Sequence, residues 1–266
     1  MATLLLVHAH PDDEAIATGG VMLRAKQQCH RVVLITATRG EMGEIYGMDE
    51  ESVRPRLGEV RTEELRRAGE ILGVDRQEFL GYRDSDMAGR AGNDDPDCFH
   101  RAPLAETAER VAAIMRHELP DVVVTYTPDG TYGHPDHIKA HQATVAAVDL
   151  LTSEGVAPAR FYFHAIPHSV MLQFEERMRE AGSSPEAYSI RFPGIPDDQI
   201  TTVVDVRDLV GKKRAAFGAH VSQIDPSSPL ATMQGHILEA ALGTEHFIRA
   251  RGQSSEQPER DLFAGL

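Results

Sequence analysis

The residues able to do chemistry gather in two short runs. In the first, His8, His10, Asp12, Asp13 and Glu14 place two imidazoles and three carboxylates within seven positions. In the second, His134, Asp136 and His137 follow Asp129-Gly130-Thr131-Tyr132-Gly133. Each run holds a His-Pro-Asp tripeptide, His10-Pro11-Asp12 and His134-Pro135-Asp136. A single histidine is more often a packed or surface residue than a ligand, but two such tripeptides reverse that expectation. A catalytic zinc takes three His or carboxylate ligands and keeps a fourth position open. His10, Asp13 and His137 supply that set. His10 and Asp13, three apart, share one turn, and Asp12 cannot share Asp13's direction, which leaves it to act as a base on water.

These runs need strands that end side by side. Leu4-Leu5-Leu6-Val7, the segment 32–36 and the segment 122–126 are continuously apolar, as strands covered on both faces must be. Each of the two chemical runs leaves such a segment and opens a helix. In open α/β sheets, ligands bind beyond the carboxyl ends of the strands. Helices are expected over 15–28, with Gly19-Gly20 allowing close packing on the sheet, and from Pro55 to Gly73 with Leu57, Val60, Leu65, Ala68 and Leu72 inside. Periodicity alone would have Arg61 snorkel from a half-buried face. Further helices are expected from Pro103, carrying Leu104, Ala108, Val111 and Met115, and after His137, carrying Ile138, Val145 and Val148. The loop 37–43 reads as mobile, and 84–103 as a long functional loop. In the last third, Phe161-Tyr162-Phe163 and 200–206 read as extended, 171–180 and 212–221 as helical, and 251–257 as a fraying tail. The alternation predicts an α/β fold with a largely parallel, Rossmann-like sheet and helices on both faces. It is read as one domain, 1–266, with a core over 1–165 completed by 166–266.

Composition narrows the function. Lys and Arg number 27 against 41 Asp and Glu, a net charge of −14 that repels nucleic acid and acidic membranes alike. Two cysteines, Cys29 and Cys98, form no framework and no thiolate metal site. No signal peptide or membrane helix is evident, so the cytoplasm is the expected compartment. A GxGxxG fingerprint is absent after the first strand, so no nicotinamide or flavin is expected.

Ala9-His10-Pro11-Asp12-Asp13-Glu14 together with Gly133-His134-Pro135-Asp136-His137 resembles the LmbE-like, or PIG-L, zinc-dependent N-deacetylases. Thr38-Arg39-Gly40-Glu41, the helix around Arg61, Tyr82-Arg83-Asp84-Ser85 and Lys213 through Ala219-His220-Val221-Ser222-Gln223 are similar as well. Met87-Ala88-Gly89 with Asn93-Asp94-Asp95-Pro96 is most similar to the branch that deacetylates N-acetylglucosaminyl inositol, a precursor of the thiol cofactor mycothiol. That branch usually has glycine where this chain has Asp86.

The resemblance implies hydrolysis of an N-acetyl group on an N-acetylglucosamine-containing small molecule. Zn²⁺ would be held by His10, Asp13 and His137, with Fe²⁺ or another divalent ion as a substitute. Asp12 would be the base, His134 an oxyanion donor or the acid, Asp136 the group orienting His134, and Tyr132 a donor to the amide oxygen. Arg61, Asp84 and Glu41 fall on substrate-binding positions. Two other readings remain: a thiol-conjugate amidase of the same family, whose pattern commonly has proline where this chain has Gly133, and a non-catalytic carbohydrate-binding protein. The implied partner is an amino-sugar substrate, not nucleic acid or membrane; homo-oligomerisation is left open.

Overall fold

A strand at the middle of a parallel sheet has no solvent face, so the uninterrupted apolar runs must be central. The computed structural model describes residues 1–180, 194–228, 242–253 and 258–266. Its strands are β1 (Thr3–His8), β2 (Arg31–Thr38), β3 (Arg76–Tyr82), β4 (Val122–Tyr126), β5 (Arg160–Ala165), β6 (Thr202–Asp205) and β7 (Thr244–Arg251). Its α-helices are α1 (Gly19–Gln27), α2 (Glu50–Val53), α3 (Leu57–Leu72), α4 (Leu104–Glu118), α5 (Gly130–Gly133), α6 (Pro135–Ser153), α7 (His168–Glu180) and α8 (Val210–Gly218). One sheet holds the seven strands in the order β3-β2-β1-β4-β5-β7-β6. β1 pairs parallel with β2 and β4, and β3 and β5 extend the parallel block. β7 runs antiparallel to both β5 and β6.

Alternate residues of β1 face opposite layers. Leu4 and Leu6 pack with Met22 of α1, Leu65 and Leu72 of α3 and Ala216 of α8. Leu5 and Val7 pack with Val111 and Met115 of α4 and Ala140 and Ala147 of α6. The helices thus cover both faces. Gly20 permits a close approach of α1: a Cβ there would lie 2.7 Å from the Val206 methyls.

Several local expectations change. The first helix begins as a π-helical turn over Glu14–Thr18 and becomes α-helical only at Gly19. The expected helix 212–221 starts at Val210 and stops at Gly218, followed by a 3₁₀ turn over Val221–Gln223. Leu104 is exposed, because it stands in the first turn of α4 before the helix reaches the sheet. Val60, Ile138 and Val145 are half-buried rather than inner residues; the inner face of α6 is made by small residues such as Ala140, Ala143 and Ala147. Two strands, β3 and β7, were not anticipated, and Arg251, assigned to the tail, ends β7. Residues 254–257 of that tail lie outside the described residues. Both cysteines are free, Cys29 exposed and Cys98 buried. Among the described residues, no helix is long and apolar enough to cross a membrane.

Candidate active site

β1 and β4 are direct neighbours, and strand order reverses between them, so their carboxyl ends open on the crevice where such sheets bind ligands. The two His-Pro-Asp tripeptides meet there. After β1 the chain turns through Asp12 at φ 114°, a left-handed conformation unusual for a residue with a Cβ. After β4, Asp129 accepts the Thr131 N–H, and Thr131 takes φ 70° inside α5. His134 then caps α6 through its side chain, with Pro135 in the first helical position.

Three donors converge between these turns. Asp13 Oδ1 lies 3.3 Å from His137 Nε2, and Asp13 Oδ2 lies 3.5 Å from His10 Nδ1. Asp13 Oδ2 also accepts the His10 N–H at 2.9 Å and the Tyr126 hydroxyl at 2.7 Å, which fix the carboxylate. His137 Nδ1 donates to the Gly130 carbonyl at 3.2 Å, leaving the Nε2 lone pair toward Asp13. His10 Nε2 lies 3.2 Å from Asp136 Oδ2, and donation there leaves the Nδ1 lone pair toward Asp13. Two imidazole lone pairs and a carboxylate, each oriented from behind by a hydrogen bond, fit a divalent ion. Electrostatics agree. Burial opposes charge on His10, yet the Asp84, Asp13 and Asp136 carboxylates outweigh it and raise its pKa well above the ordinary value. Burial likewise opposes charge on Asp13, and His137 with His10 outweighs it, holding the carboxyl well below its usual range. The site is built to hold positive charge. Among the described residues, His10, His134 and His137 form one group able to hold a metal, and His10, Asp84 and Asp136 another.

Asp136 does not orient His134 through its carboxylate. That carboxylate is fully buried and bonds the Ser85 N–H at 2.9 Å, the Ser85 hydroxyl and His10. His134 is oriented instead by the Asp136 backbone N–H, which donates to His134 Nδ1 at 3.1 Å. A backbone N–H can only donate, so the neutral ring carries its proton on Nε2. Burial, then His10 and His137, push the His134 pKa down to about 2, which leaves a neutral Nε2–H donor beside the cavity. The Tyr132 hydroxyl stands 3.5 Å from His137 Nε2, and burial followed by Asp13 keeps it a neutral phenol.

Asp12 faces Arg61. The guanidinium does not snorkel: Arg61 is 3% exposed, and it donates to Asp12 Oδ2 at 3.1 Å, to Gly40 O at 2.8 Å and to Pro11 O. Gly40 makes room for it, since a Cβ there would lie 2.0 Å from Arg61 Nη1. Burial raises the Asp12 pKa, Arg61 lowers it and Asp13 raises it again, for a value of about 6. A carboxyl so tuned is a serviceable base near neutrality.

The loop expected to be mobile is pinned by several bonds. Besides Arg61 on Gly40, Arg54 donates to Gly43 O at 2.7 Å, Asp84 accepts the Met42 N–H at 3.1 Å and Tyr46 N–H donates to Ser222 O at 2.9 Å.

A cavity of about 200 Å³ opens onto His10, Asp12, Asp13, Arg61, Tyr132 and His134. Asp84 lines it too, while Glu41 does not: its Oε2 accepts the Asp84 N–H at 3.2 Å. Glu41 thus shapes the loop that carries Asp84. The far side of the cavity is formed by Glu44, Asp86, Arg90 and Gln223, none of them assigned from sequence. Asp86 has φ 61°, a conformation glycine adopts without strain, and steadies it by accepting the Met87 N–H at 2.7 Å. Tyr126 was also missed. Its place as the last residue of β4, a tyrosine ending a buried strand at the crevice, was the available signal.

Comparison with known proteins agrees with this geometry. The PIG-L family, described as GlcNAc-PI de-N-acetylase, matches residues 5–148. A 1D-myo-inositol 2-acetamido-2-deoxy-alpha-D-glucopyranoside deacetylase from Acidothermus cellulolyticus is 40% identical over 99% of this chain and 95% of its own. A protein of the same name from Thermomonospora curvata is 39% identical over 99% and 96%. The chain therefore belongs to the PIG-L family of de-N-acetylases. Among solved structures, the conserved protein TT1542 from Thermus thermophilus superposes with a TM-score of 0.62 at 22% identity, covering 96% of this chain and 98% of that one. A 4-carboxy-2-hydroxymuconate hydratase superposes with a TM-score of 0.61 at 21% identity, covering 97% and 99%. At such identities the likeness concerns the fold, which does not by itself select a reaction.

Proposed function

We propose that this chain is a metal-dependent hydrolase that removes the acetyl group from the N-acetylglucosamine unit of a small glycoside, as the names of its inositol-glycoside relatives describe for them. One observation carries the reading: His10 and Asp13, with His137 3.3 Å behind Asp13, line the same cavity as Asp12, a carboxyl whose pKa is raised to about 6. Zn²⁺ is the proposed ion, with Fe²⁺ also suited to these ligands; when bound, it supplies a Lewis acid for the acetyl carbonyl and a more acidic water. Asp12 takes the proton from the attacking water. His134 Nε2–H and the Tyr132 hydroxyl donate to the oxygen that gains charge. His134, held neutral by burial and by His10 and His137, has no second proton to give. Asp12, protonated in the first half, therefore returns its proton to the leaving amine. Arg61 and Asp84, both lining the cavity, contact the sugar, while Asp136 holds His10 for the ion.

Gly133 favours deacetylation over conjugate cleavage, because its φ of 87° is closed to the proline of the amidase pattern. We assign 1–266 to one working unit, since β6 and β7 from the part after 165 complete the sheet of the first. The cytoplasm is the proposed compartment.

Acetate release from N-acetylglucosaminyl inositol, measured with and without a chelator and after readdition of Zn²⁺ or Fe²⁺, tests the reading. Release that a chelator abolishes and metal restores is expected. Binding of the sugar without release, or release indifferent to chelation, would overturn it.

A further inference from the structure

Two residues in the recognised segments have no part in the reaction above: Glu14, which ends the first run, and His220, near the end of the chain. They touch. His220 Nε2 lies 2.7 Å from Glu14 Oε1, across 206 residues of sequence. Both side chains are fully buried. The other oxygen, Glu14 Oε2, accepts the Asp12 N–H at 2.9 Å. We propose that Glu14 and His220 are positioning residues for Asp12, holding its backbone in the left-handed conformation that aims the carboxylate into the cavity; the proposal rests on Asp12 being the base.

Asp12, at φ 114°, stands before the first helical turn, where its N–H has no intrahelical acceptor. The π-helical turn that follows has no side-chain cap; the Glu14 carboxylate goes to the Asp12 amide instead. A carboxylate buried with only a neutral N–H would be costly, and a donor must complete it. His220 is that donor. It is delivered by the turn at Val221–Gln223, which is anchored in turn by Glu64, whose two oxygens accept the Ser222 N–H and hydroxyl at 2.7 Å each. Glu64 stands on α3, less than one turn beyond Arg61. One helix thus carries Arg61, which grips the Asp12 side chain, and Glu64, which secures the segment that grips the Asp12 backbone.

The test compares Glu14→Ala, His220→Ala and Glu14→Gln for kcat, KM, metal content and, by NMR on the metal-depleted protein, exchange of the Asp12 amide. Removing the acceptor should lower kcat by about 10²-fold, the scale of a small misplacement of a catalytic group. KM and metal content should hold, and the Asp12 amide should exchange faster. Glu14→Gln keeps an acceptor and should retain most of kcat; should Glu14→Ala fail to accumulate, a Gln variant as slow as Asp12→Asn would overturn the proposal. So would unchanged kcat in Glu14→Ala, or a loss that tracks loss of metal. In an Asp12→Gly background, Glu14→Ala should cost the residual rate nothing more, and a fresh fall would mean another role. Full turnover in Asp12→Asn would remove the base itself, whereas full turnover in Glu14→Ala with Asp12→Asn inactive would remove only this inference.

Discussion

The turn after β1 and the turn after β4 carry the same tripeptide and use it in opposite ways. After β4, His-Pro-Asp takes a common helix start: His134 caps, Pro135 leads, and Asp136 is drawn into the protein, where its carboxylate holds His10. After β1, the same residue types start no regular helix. Asp12 is thrown into a left-handed conformation, and its carboxylate, 25% exposed, looks into the cavity. The histidines trade places as well: His10 joins the proposed ligand set, while His134 is held by a backbone bond to its Nδ1. In the proposed mechanism, identical chemistry in sequence thus becomes base and ligand at one strand end, and support and oxyanion donor at the other. Backbone conformation decides which.

Exchanging these roles should expose the difference. The largest effect is expected at Asp12. Asp12→Asn should lower kcat by about 10²–10⁴-fold while metal content, read by elemental analysis, stays full; equal loss of metal would make Asp12 a ligand and erase the contrast with Asp13. His134→Ala should lower kcat and kcat/KM together by about 10²–10³-fold, as a donor to a developing oxyanion does. A change in KM alone would make His134 a substrate contact. Asp136→Asn should act on the ion, weakening metal affinity by about 10–100-fold in a competitive chelator titration, with activity recovered at excess metal. Activity that stays low at saturating metal would place Asp136 in the reaction with Asp12.

The smallest effect is on stability. The Asp12 pKa is raised in the fold to about 6, above the value near 3.9 of a free carboxyl. Ionising it therefore costs stability as pH rises through 6, and the cost is absent below about 4. Asp12→Asn in metal-depleted protein should accordingly melt about 2–4 °C higher at pH 8, the effect of a gain of order 1 kcal/mol. The two proteins should melt together at pH 3.5 if both stay folded there. A lower melting temperature at pH 8 would make Asp12 a structural residue like Asp136.

How much of this was legible in the chain follows from burial. β1, β2 and β4 were read because their residues are shut from solvent on both faces and must be apolar. β3 was not, because it is an edge strand in which Leu80 alone is buried, so Arg76-Gln77-Glu78 breaks the pattern. β7 hid for another reason. Its inward positions include Glu245, which Lys213 neutralises at 2.6 Å and which bonds the Gly20 and Val21 amides; a charge in a core slot erases the alternation. Of the candidate site, His10, Asp13, Asp12 and His137 were singled out because their spacing within the turns is itself a signal, and the fold sets them side by side. Arg61 stood out only through the family resemblance, since periodicity cannot tell a snorkelling arginine from one that threads past Gly40 to bind Asp12. Asp136 and Ser85 were paired only by the fold, and the loop 37–43, rich in glycine and charge, showed nothing of the Arg61, Arg54 and Asp84 contacts that pin it.

The sheet order also bears on the sequence of events during synthesis. β6 lies at the edge and, among the described strands, pairs only with β7, which is made later and must slide in between β5 and β6. Until residues 244–251 have left the ribosome, β6 has no strand to pair with and Lys213 of α8 lacks the Glu245 carboxylate as its buried counter-ion. The parallel block can collapse early around its own helices, with α8 packed on α3, but β6 must wait for β7 before it joins the sheet. A nascent chain halted at 243 should therefore hold a protease-resistant core while β6 (Thr202–Asp205) stays open and easily cut, and that strand should close only when the final strand is supplied.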